Sequence, residues 1–201
     1  MNVSPKTPHK VHILGLSSRL NKACYAIRAI KSYKSPSVLR TVYFSHFHSV
    51  TSYGIIFWGN SHFNNNIFKI QKRIIRILAN KGKREPCRDL YKQLQILTLP
   101  SQYIFSLLVF VVKHRNLFVS NSEIQNINTR SNYDLHLPTT RLTLMQMGVL
   151  YSGSRIYNHL PFHIKGLIND IKQFKVKLRT FLLEHSSYSI EEFYQTISEI
   201  P

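Results

Sequence analysis

The stretch that decides the fold is Ile67–Leu78, with the sequence IFKIQKRIIRIL. At about 100° per residue, its apolar side chains fill one half of a helical wheel. The opposite half carries four cations, within about 100° of one another: Lys69, Lys72, Arg73 and Arg76. This pattern predicts an amphipathic helix whose apolar half packs on a core and whose cationic half faces outward.

The four cations follow the spacing i, i+3, i+4, i+7, which distributes them along roughly 10 Å of helix, enough to follow a few phosphates. An ordinary solvated face contains glutamates that form i,i+4 pairs with lysine and arginine, and this face has none. Lys81, Lys83 and Arg84 extend the cationic run. The run predicts phosphate binding without base-specific readout, and a merely solvated helix face is the alternative.

The charge of the whole chain points in the same direction. Its 201 residues carry a formal net charge of +18, and the first 84 contain 15 lysines and arginines but no acid before Glu85. Such a segment cannot hold a carboxylate-bound metal or a carboxylate acid–base pair, but it suits a polyanion. Nucleic acid and an anionic membrane surface are the two candidates. With 43% hydrophobic residues, the chain is too apolar for a disordered basic tail.

The sequence lacks the usual signatures of catalysis. A two-metal polymerase site needs paired aspartates, and the one acidic doublet, Glu191-Glu192, lies near the end of the chain, where it suits a helix N-terminus. His46 and His48 point to different faces of a helix and are interpreted as partly exposed histidines. No GxSxG motif occurs. We therefore predict no catalytic residue, no metal and no cofactor, and no enzyme activity for the chain as it stands.

Location and membrane contact follow from two further features. Cys24 and Cys87 form neither a CxxC pair nor a zinc quartet and are expected to be reduced and buried, as in an intracellular protein. The first thirty residues have no sustained apolar segment typical of a secretory signal. The most apolar run, Tyr103–Val112, is about half a bilayer span and predicts a core helix. The protein is expected to be nuclear or cytoplasmic, without integral membrane contact.

Hydrophobic periodicity predicts a mainly α fold, an irregular bundle of about six or more helices. A first helix has an apolar stripe at three- and four-residue steps, made of Ile13, Leu16, Leu20, Cys24, Ile27 and Ile30. Ser35-Pro36 begins a second helix that is expected to continue through Val38 toward Trp58 and end near Gly59. Pro100 begins the most apolar helix, to about Leu117. Leu135–Pro138 alternates and is compatible with one short β element.

Four segments are expected along the chain: a flexible N-terminus (1–10), a basic helical domain (11–118), a polar loop (119–133) and a C-terminal helical region (134–201). A turn-rich connection is expected at Asn60–Asn66, and one helix, weakened by glycines, at Leu142–Asn158. Asp170 is predicted to cap a strong helix with a buried stripe of Ile171, Phe174, Leu178 and Phe181. A second cationic face on that helix consists of Lys172, Lys175 and Arg179. A short terminal helix is expected to start at Ser189-Ile190-Glu191-Glu192.

Several blocks of the sequence, in this order, resemble the region that follows the polymerase palm in Jockey-type non-LTR retrotransposon reverse transcriptases. The lead-in is His12-Ile13 with Leu20-Asn21-Lys22. The blocks that follow are Tyr43–Ser61 (YFSHFHSVTSYGIIFWGNS), Ile67–Leu78, Cys87–Leu97 (CRDLYKQLQIL), Pro100–Val112, Asn128-Thr129-Arg130 with Asp134–Pro138, Gly148–Pro161 (GVLYSGSRIYNHLP) and Ile171–Leu182. The resemblance covers about residues 9–201, and no single motif carries it.

The resemblance implies the helical thumb and C-terminal region of such an RNA-directed DNA polymerase, with 11–118 as the thumb-like domain. That region helps to grip template and primer, so RNA, DNA or an RNA–DNA hybrid is the expected partner. The family's palm motif, an aromatic-Ala-Asp-Asp turn, does not occur here. The chain is therefore expected to be a non-catalytic fragment of a transposable element's enzyme, without palm, fingers or endonuclease.

Two alternatives remain open from the sequence. In the first, the chain is a helical interaction module that docks on an intact reverse transcriptase. Its clue is Tyr103–Val112, which without palm neighbours is expected to expose apolar surface. In the second, the chain is the inert product of a truncated element.

Overall fold

The computed structural model of the protein describes residues 8–124 and 134–199. The predicted mainly α fold is confirmed: within these ranges every regular element is a helix, and the β element reduces to one antiparallel bridge between Ser120 and Leu135. The chain divides into two compact units, Met1–Leu99 (unit 1) and Pro100–Pro201 (unit 2). The sequence placed its boundary at 119–133, of which 125–133 lie outside the described residues. Residues 1–7 of the predicted flexible N-terminus also lie outside them, and the first helix begins at Pro8.

Unit 1 is built from six α-helices and a π-helical turn in its described part. They are α1 (Pro8–Ile30), α2 (Pro36–Val42), the π-helix (Tyr43–His48), α3 (Ser49–Ser52), α4 (Ile55–Trp58), α5 (Asn64–Leu78) and α6 (Arg88–Gln93). The principal packing in this unit joins α1 to α5. The apolar stripe predicted for α1 is confirmed from Ile13 to Ile27, while Ile30 is half-buried. Both cysteines are free and buried, as predicted.

The single helix predicted from Pro36 toward Trp58 is wrong beyond Ser52. The chain is helical without interruption through α2, the π-helix and α3, and then Gly54 adopts a left-handed conformation with φ 62° before α4 begins. A left-handed residue ends an α-helix, and glycine adopts it without steric cost. Within α2, Val38 is exposed and Leu39 is buried.

Helix α5 confirms the predicted apolar half and begins at Asn64, inside the segment that the sequence assigned to a turn. All of its isoleucines, together with Phe68 and Leu78, are buried. Gln71 lies among them and is only 2% exposed. Its Nε2 donates to Tyr43 Oη and to the Leu97 carbonyl, and its Oε1 accepts from Tyr91 Oη and the Leu99 N–H, at distances of 2.8–3.2 Å. This polar side chain is therefore satisfied inside the core of unit 1.

Unit 2 is also helical in its described part. Its helices are α7 (Leu99–Lys113, whose first residue closes unit 1), a 3-10 turn (Arg115–Leu117), α8 (Asn121–Ile124), α9 (Thr143–Gln146), α10 (Val149–Asn158), α11 (Phe162–Lys165), α12 (Ile171–His185) and α13 (Ile190–Ser198). The predicted end of the apolar helix near Leu117 is wrong, because α7 ends at Lys113. Tyr103, Leu107 and Val111 are completely buried.

The helix predicted for Leu142–Asn158 is divided into α9 and α10 at Met147-Gly148. Gly153 is buried within α10, and a Cβ there would lie 2.9 Å from Val111 Cγ2. The glycine therefore permits a close approach of α10 to α7 that no larger residue allows. At the end of α10, the Asn158 amide donates to and accepts from the backbone of Leu135, at 2.7 and 2.8 Å.

The last two helices begin as the sequence predicts. Asp170 Oδ1 accepts from the N–H groups of Lys172 and Gln173. In the stripe predicted for α12, Phe174, Leu178 and Phe181 are buried, whereas Ile171 is half-buried. Ser189 caps α13 by accepting from the Glu192 N–H. By contrast, Ser35 occupies the N-cap position of α2 but forms no side-chain cap bond; its hydroxyl lies 2.9 Å from that of Ser37.

Candidate nucleic-acid interface

A groove of about 900 Å³ in unit 1 collects cations from three segments of the chain. Arg28 and Lys31 come from the end of α1 and the turn that follows it, four cations come from α5, and two come from the loop after α5. The lining residues are Arg28, Lys31, Lys69, Lys72, Arg73, Arg76, Ile77, Lys81 and Lys83. Eight of these nine residues are lysine or arginine, so the groove has a strongly positive potential.

The packing of α1 on α5 creates this arrangement. The apolar stripe of α1 packs along α5 and brings the polar edges of the two helices together. At this edge Arg73 Nη1 donates to Asn21 Oδ1 at 3.4 Å. Beneath it, burial raises the pKa of the Cys24 thiol, and the nearby Arg73 guanidinium acts in the opposite direction. The thiol thus remains neutral at physiological pH and belongs to the helix interface.

The four predicted cations of α5 fall into two pairs. Lys69 and Arg73 are exposed, whereas Lys72 and Arg76 are half-buried. Lys72 Nζ lies 4.4 Å from the centre of the Phe68 ring, within the range of a cation–π contact. Arg76 Nε donates to the Glu85 carbonyl at 2.7 Å. The first pair is therefore best placed to bind a ligand, while the second pair also holds the local structure together.

The loop after α5 is fixed to that helix. The Lys81 N–H donates to the Arg76 carbonyl at 2.9 Å, and the preceding Asn80 has a positive φ of 55°, a conformation that asparagine tolerates well. Cys87 Sγ lies 3.6 Å from the Lys72 carbonyl on the other side. These contacts hold Lys81 and Lys83 at the same groove as the α5 cations.

The structure brings together six of the ten predicted binding residues: Lys69, Lys72, Arg73, Arg76, Lys81 and Lys83. Arg84 is exposed but does not line the groove. Lys172, Lys175 and Arg179 lie on α12 in unit 2, with Lys172 exposed and the other two half-buried. Sequence reasoning missed Arg28 and Lys31. No local sequence pattern connects these two residues with the cations of α5, because only the packing of α1 on α5 brings them to the same groove.

The aromatic residues that precede α5 have mixed roles. The sequence favoured the core for most of the set Tyr43, Phe44, Tyr53, Phe57 and Trp58, with base stacking as the alternative. Tyr43 and Trp58 are buried, and the Trp58 indole N–H donates to the Tyr53 carbonyl at 3.2 Å. Phe44 is half-buried, and the Arg40 guanidinium carbon lies 5.0 Å above the centre of the Phe44 ring. Tyr53 and Phe57 are exposed.

A metal centre and a membrane span each require features different from those of the groove. In the ranges 8–124 and 134–199, no three His, Cys, Asp or Glu side chains are grouped as a metal site requires. His46 is exposed, and the His48 ring lies 5.1 Å from that of Phe44. No helix in the described part of the chain combines the length and the apolar character needed to span a bilayer.

Comparisons of the chain with protein-family models, curated proteins and solved structures found no match. The resemblance to Jockey-type reverse transcriptases therefore depends on the sequence blocks alone.

Proposed function

We propose that this protein binds nucleic acid through the cationic groove between α1 and α5, independently of base sequence. The observation that carries the proposal is the convergence of eight lysines and arginines, from three chain segments, on one groove. Phosphate groups would lie against Lys69 and Arg73 on one wall and Arg28 and Lys31 on the other. Lys81 and Lys83 would extend the contact beyond the end of α5.

The acids of unit 1 support this proposal by their positions. The unit contains 17 lysines and arginines against two acids, Glu85 and Asp89. Neither acid lines the groove. A surface without a polyanionic ligand would normally intersperse acids to limit self-repulsion. A bound phosphate chain would remove that repulsion.

We further propose that the chain is the thumb and C-terminal region of a Jockey-type non-LTR retrotransposon reverse transcriptase. Support comes from the ordered sequence blocks and from a helical fold with a groove suited to phosphates. In that setting the groove would hold template or primer RNA, DNA or hybrid. No residue of the chain is assigned a catalytic role.

The alternative of a helical interaction module was based on an exposed apolar surface that the structure does not have at the expected place. Its clue was exposure of Tyr103–Val112, and every residue of that stretch is buried or half-buried. The membrane alternative is less suited to the geometry, because a lipid surface favours cations on a flat or convex face, whereas these line a groove. Vesicle binding is therefore measured as an outcome of the binding test below.

The test compares two double variants with the same change in net charge. Lys69→Glu/Arg73→Glu reverses the two exposed cations of the groove on α5. Lys22→Glu/Lys92→Glu reverses two exposed cations that do not line it. Binding of fluorescent RNA and DNA oligonucleotides is measured by anisotropy, and binding of phosphatidylserine vesicles by co-sedimentation. Circular dichroism melting checks that all forms are folded.

We expect the groove variant to lose about tenfold or more in nucleic-acid affinity at low salt, and the control variant less than about threefold. Equal losses in the two variants would show that only net charge matters and would contradict the groove assignment. Tight vesicle binding without oligonucleotide binding would establish the membrane alternative instead. Binding to neither would refute the proposed function.

A further inference from the structure

The cationic groove continues beyond α5. A second groove, of about 460 Å³, lies between the turn after α1 and the end of α5. Its lining residues are Lys31, Ser32, Lys34, Pro36, Leu39, Ile77, Leu78 and Asn80. Lys31 and Ile77 line both grooves, so together they form one continuous track (the Lys69–Lys34 track).

Tyr25 lies at the edge of this track. It is four residues after Asn21, which contacts Arg73, and three before Arg28, which lines the groove. Residues three and four apart share a helix face, so Tyr25 lies on the side of α1 that carries Asn21 and Arg28, next to the groove but outside its lining. The Tyr25 side chain is 74% exposed. An aromatic ring this exposed, beside a row of cations, is available for stacking.

Tyr33 lies beside the other end of the track, between lining residues but not itself part of the lining. It lies between Lys31 and Lys34 in the turn that follows α1, where its N–H donates to the Ile30 carbonyl at 3.1 Å. The ring is 85% exposed. The backbone of this turn is thus anchored while its aromatic side chain remains in solvent.

We propose that the Lys69–Lys34 track binds single-stranded nucleic acid, with phosphates in the groove and bases stacked on Tyr25 and Tyr33. This proposal rests on the proposed function and adds the strandedness of the ligand. In a duplex the bases stack on each other, whereas a single strand offers free base faces to aromatic rings.

The test uses a fluorescent oligouridylate, alone and annealed to oligoadenylate of the same length. The main variant is Tyr25→Ala/Tyr33→Ala, and Tyr25→Phe/Tyr33→Phe keeps the rings. Tyr53→Ala is the control, because Tyr53 is 80% exposed and, unlike Tyr25 and Tyr33, has no groove-lining residue within three positions along the chain. The Lys69→Glu/Arg73→Glu variant is measured in parallel, and circular dichroism confirms folding of each form.

We expect the wild-type protein to bind the single strand more tightly than the duplex. Loss of both rings in Tyr25→Ala/Tyr33→Ala should weaken single-strand binding by about fivefold or more and leave duplex binding within about twofold. The phenylalanine variant and Tyr53→Ala should bind like the wild type.

Two results would overturn the single-strand proposal while leaving the proposed function intact. One is a duplex that binds as tightly as the single strand or more tightly, as a pure phosphate-binding surface would favour. The other is an alanine variant that binds normally while the charge-reversed variant does not. If neither nucleic acid binds, or if charge reversal has no effect, the proposed function itself fails.

Discussion

Gln71 Nε2 lies 3.0 Å from Tyr43 Oη, and this hydrogen bond joins the middle of α5 to the first residue of the π-helix. The same amide connects to Tyr91 just before the end of α6 and to the backbone of Leu97 and Leu99. One side chain therefore joins four segments of unit 1 and fixes the helix that carries the cationic stripe.

Replacing Gln71 with leucine should destabilise the protein by about 3 kcal/mol, since it leaves several buried donors and acceptors without partners. The free energy of unfolding from urea titration, followed by far-ultraviolet circular dichroism, measures the effect. Gln93→Leu, on the exposed surface of α6, is the control and should change stability by less than about 0.5 kcal/mol. Equal stabilities of the two variants would contradict the role assigned to Gln71.

The two glycines of long helices should respond to alanine in opposite ways. Gly153→Ala places a Cβ 2.9 Å from Val111 Cγ2 and should cost about 1–3 kcal/mol through overpacking. Gly15→Ala, in α1 with no atom within 4 Å of the added Cβ, should stabilise by about 0.5–1 kcal/mol. Thermal melting of both variants tests the pair. A stabilised Gly153→Ala would disprove the close approach of α10 to α7.

The helix caps provide a second matched pair. Asp170→Ala removes two cap hydrogen bonds at the start of α12 and should lower the free energy of unfolding by about 1 kcal/mol. Ser35→Ala should be close to neutral, because Ser35 makes no cap bond to α2. Urea titration of both variants distinguishes the sites. A loss at Ser35 as large as that at Asp170 would contradict the described caps.

Stability should fall in alkaline solution through buried tyrosines. Burial raises the pKa of Tyr103 to about 12, above the value of about 10 for an exposed tyrosine. Between these pH values the folded state thus retains a proton on Tyr103 that the unfolded state loses. The contribution of this tyrosine to the free energy of unfolding is complete below about pH 10 and disappears as the pH rises toward about 12. The decline in unfolding free energy should be less steep in Tyr103→Phe than in Tyr53→Phe. Parallel declines in these two variants would contradict this account.

Much of the helical architecture could be predicted from local pattern. The stripe of α1, the apolar half of α5 and the cap at Asp170 all follow from spacing and residue type. Gln71 was missed although it falls on the wheel between Leu78 and Ile75, within the apolar half. Its polarity concealed it, because the partners that satisfy the amide are distant in sequence.

The candidate site could be predicted only in part, for a similar reason. The cations of α5 share a helix face, which periodicity reveals. Arg28 and Lys31 join them only because α1 packs on α5. These two residues precede Lys69 by more than thirty-five positions in the chain. The helix break at Gly54 was likewise not predicted, because a glycine within a helical pattern is compatible with both a helical and a left-handed φ.

The central claim, that the groove between α1 and α5 binds phosphates, is tested most directly by the salt dependence of single-stranded RNA binding. The slope of log affinity against log salt concentration is measured for the wild type, Lys69→Glu/Arg73→Glu and Lys22→Glu/Lys92→Glu. Each phosphate contact contributes about 0.7 to the slope for a single strand. The groove variant should therefore be shallower by about 1.4, and the control should keep the wild-type slope. Three identical slopes would contradict the claim.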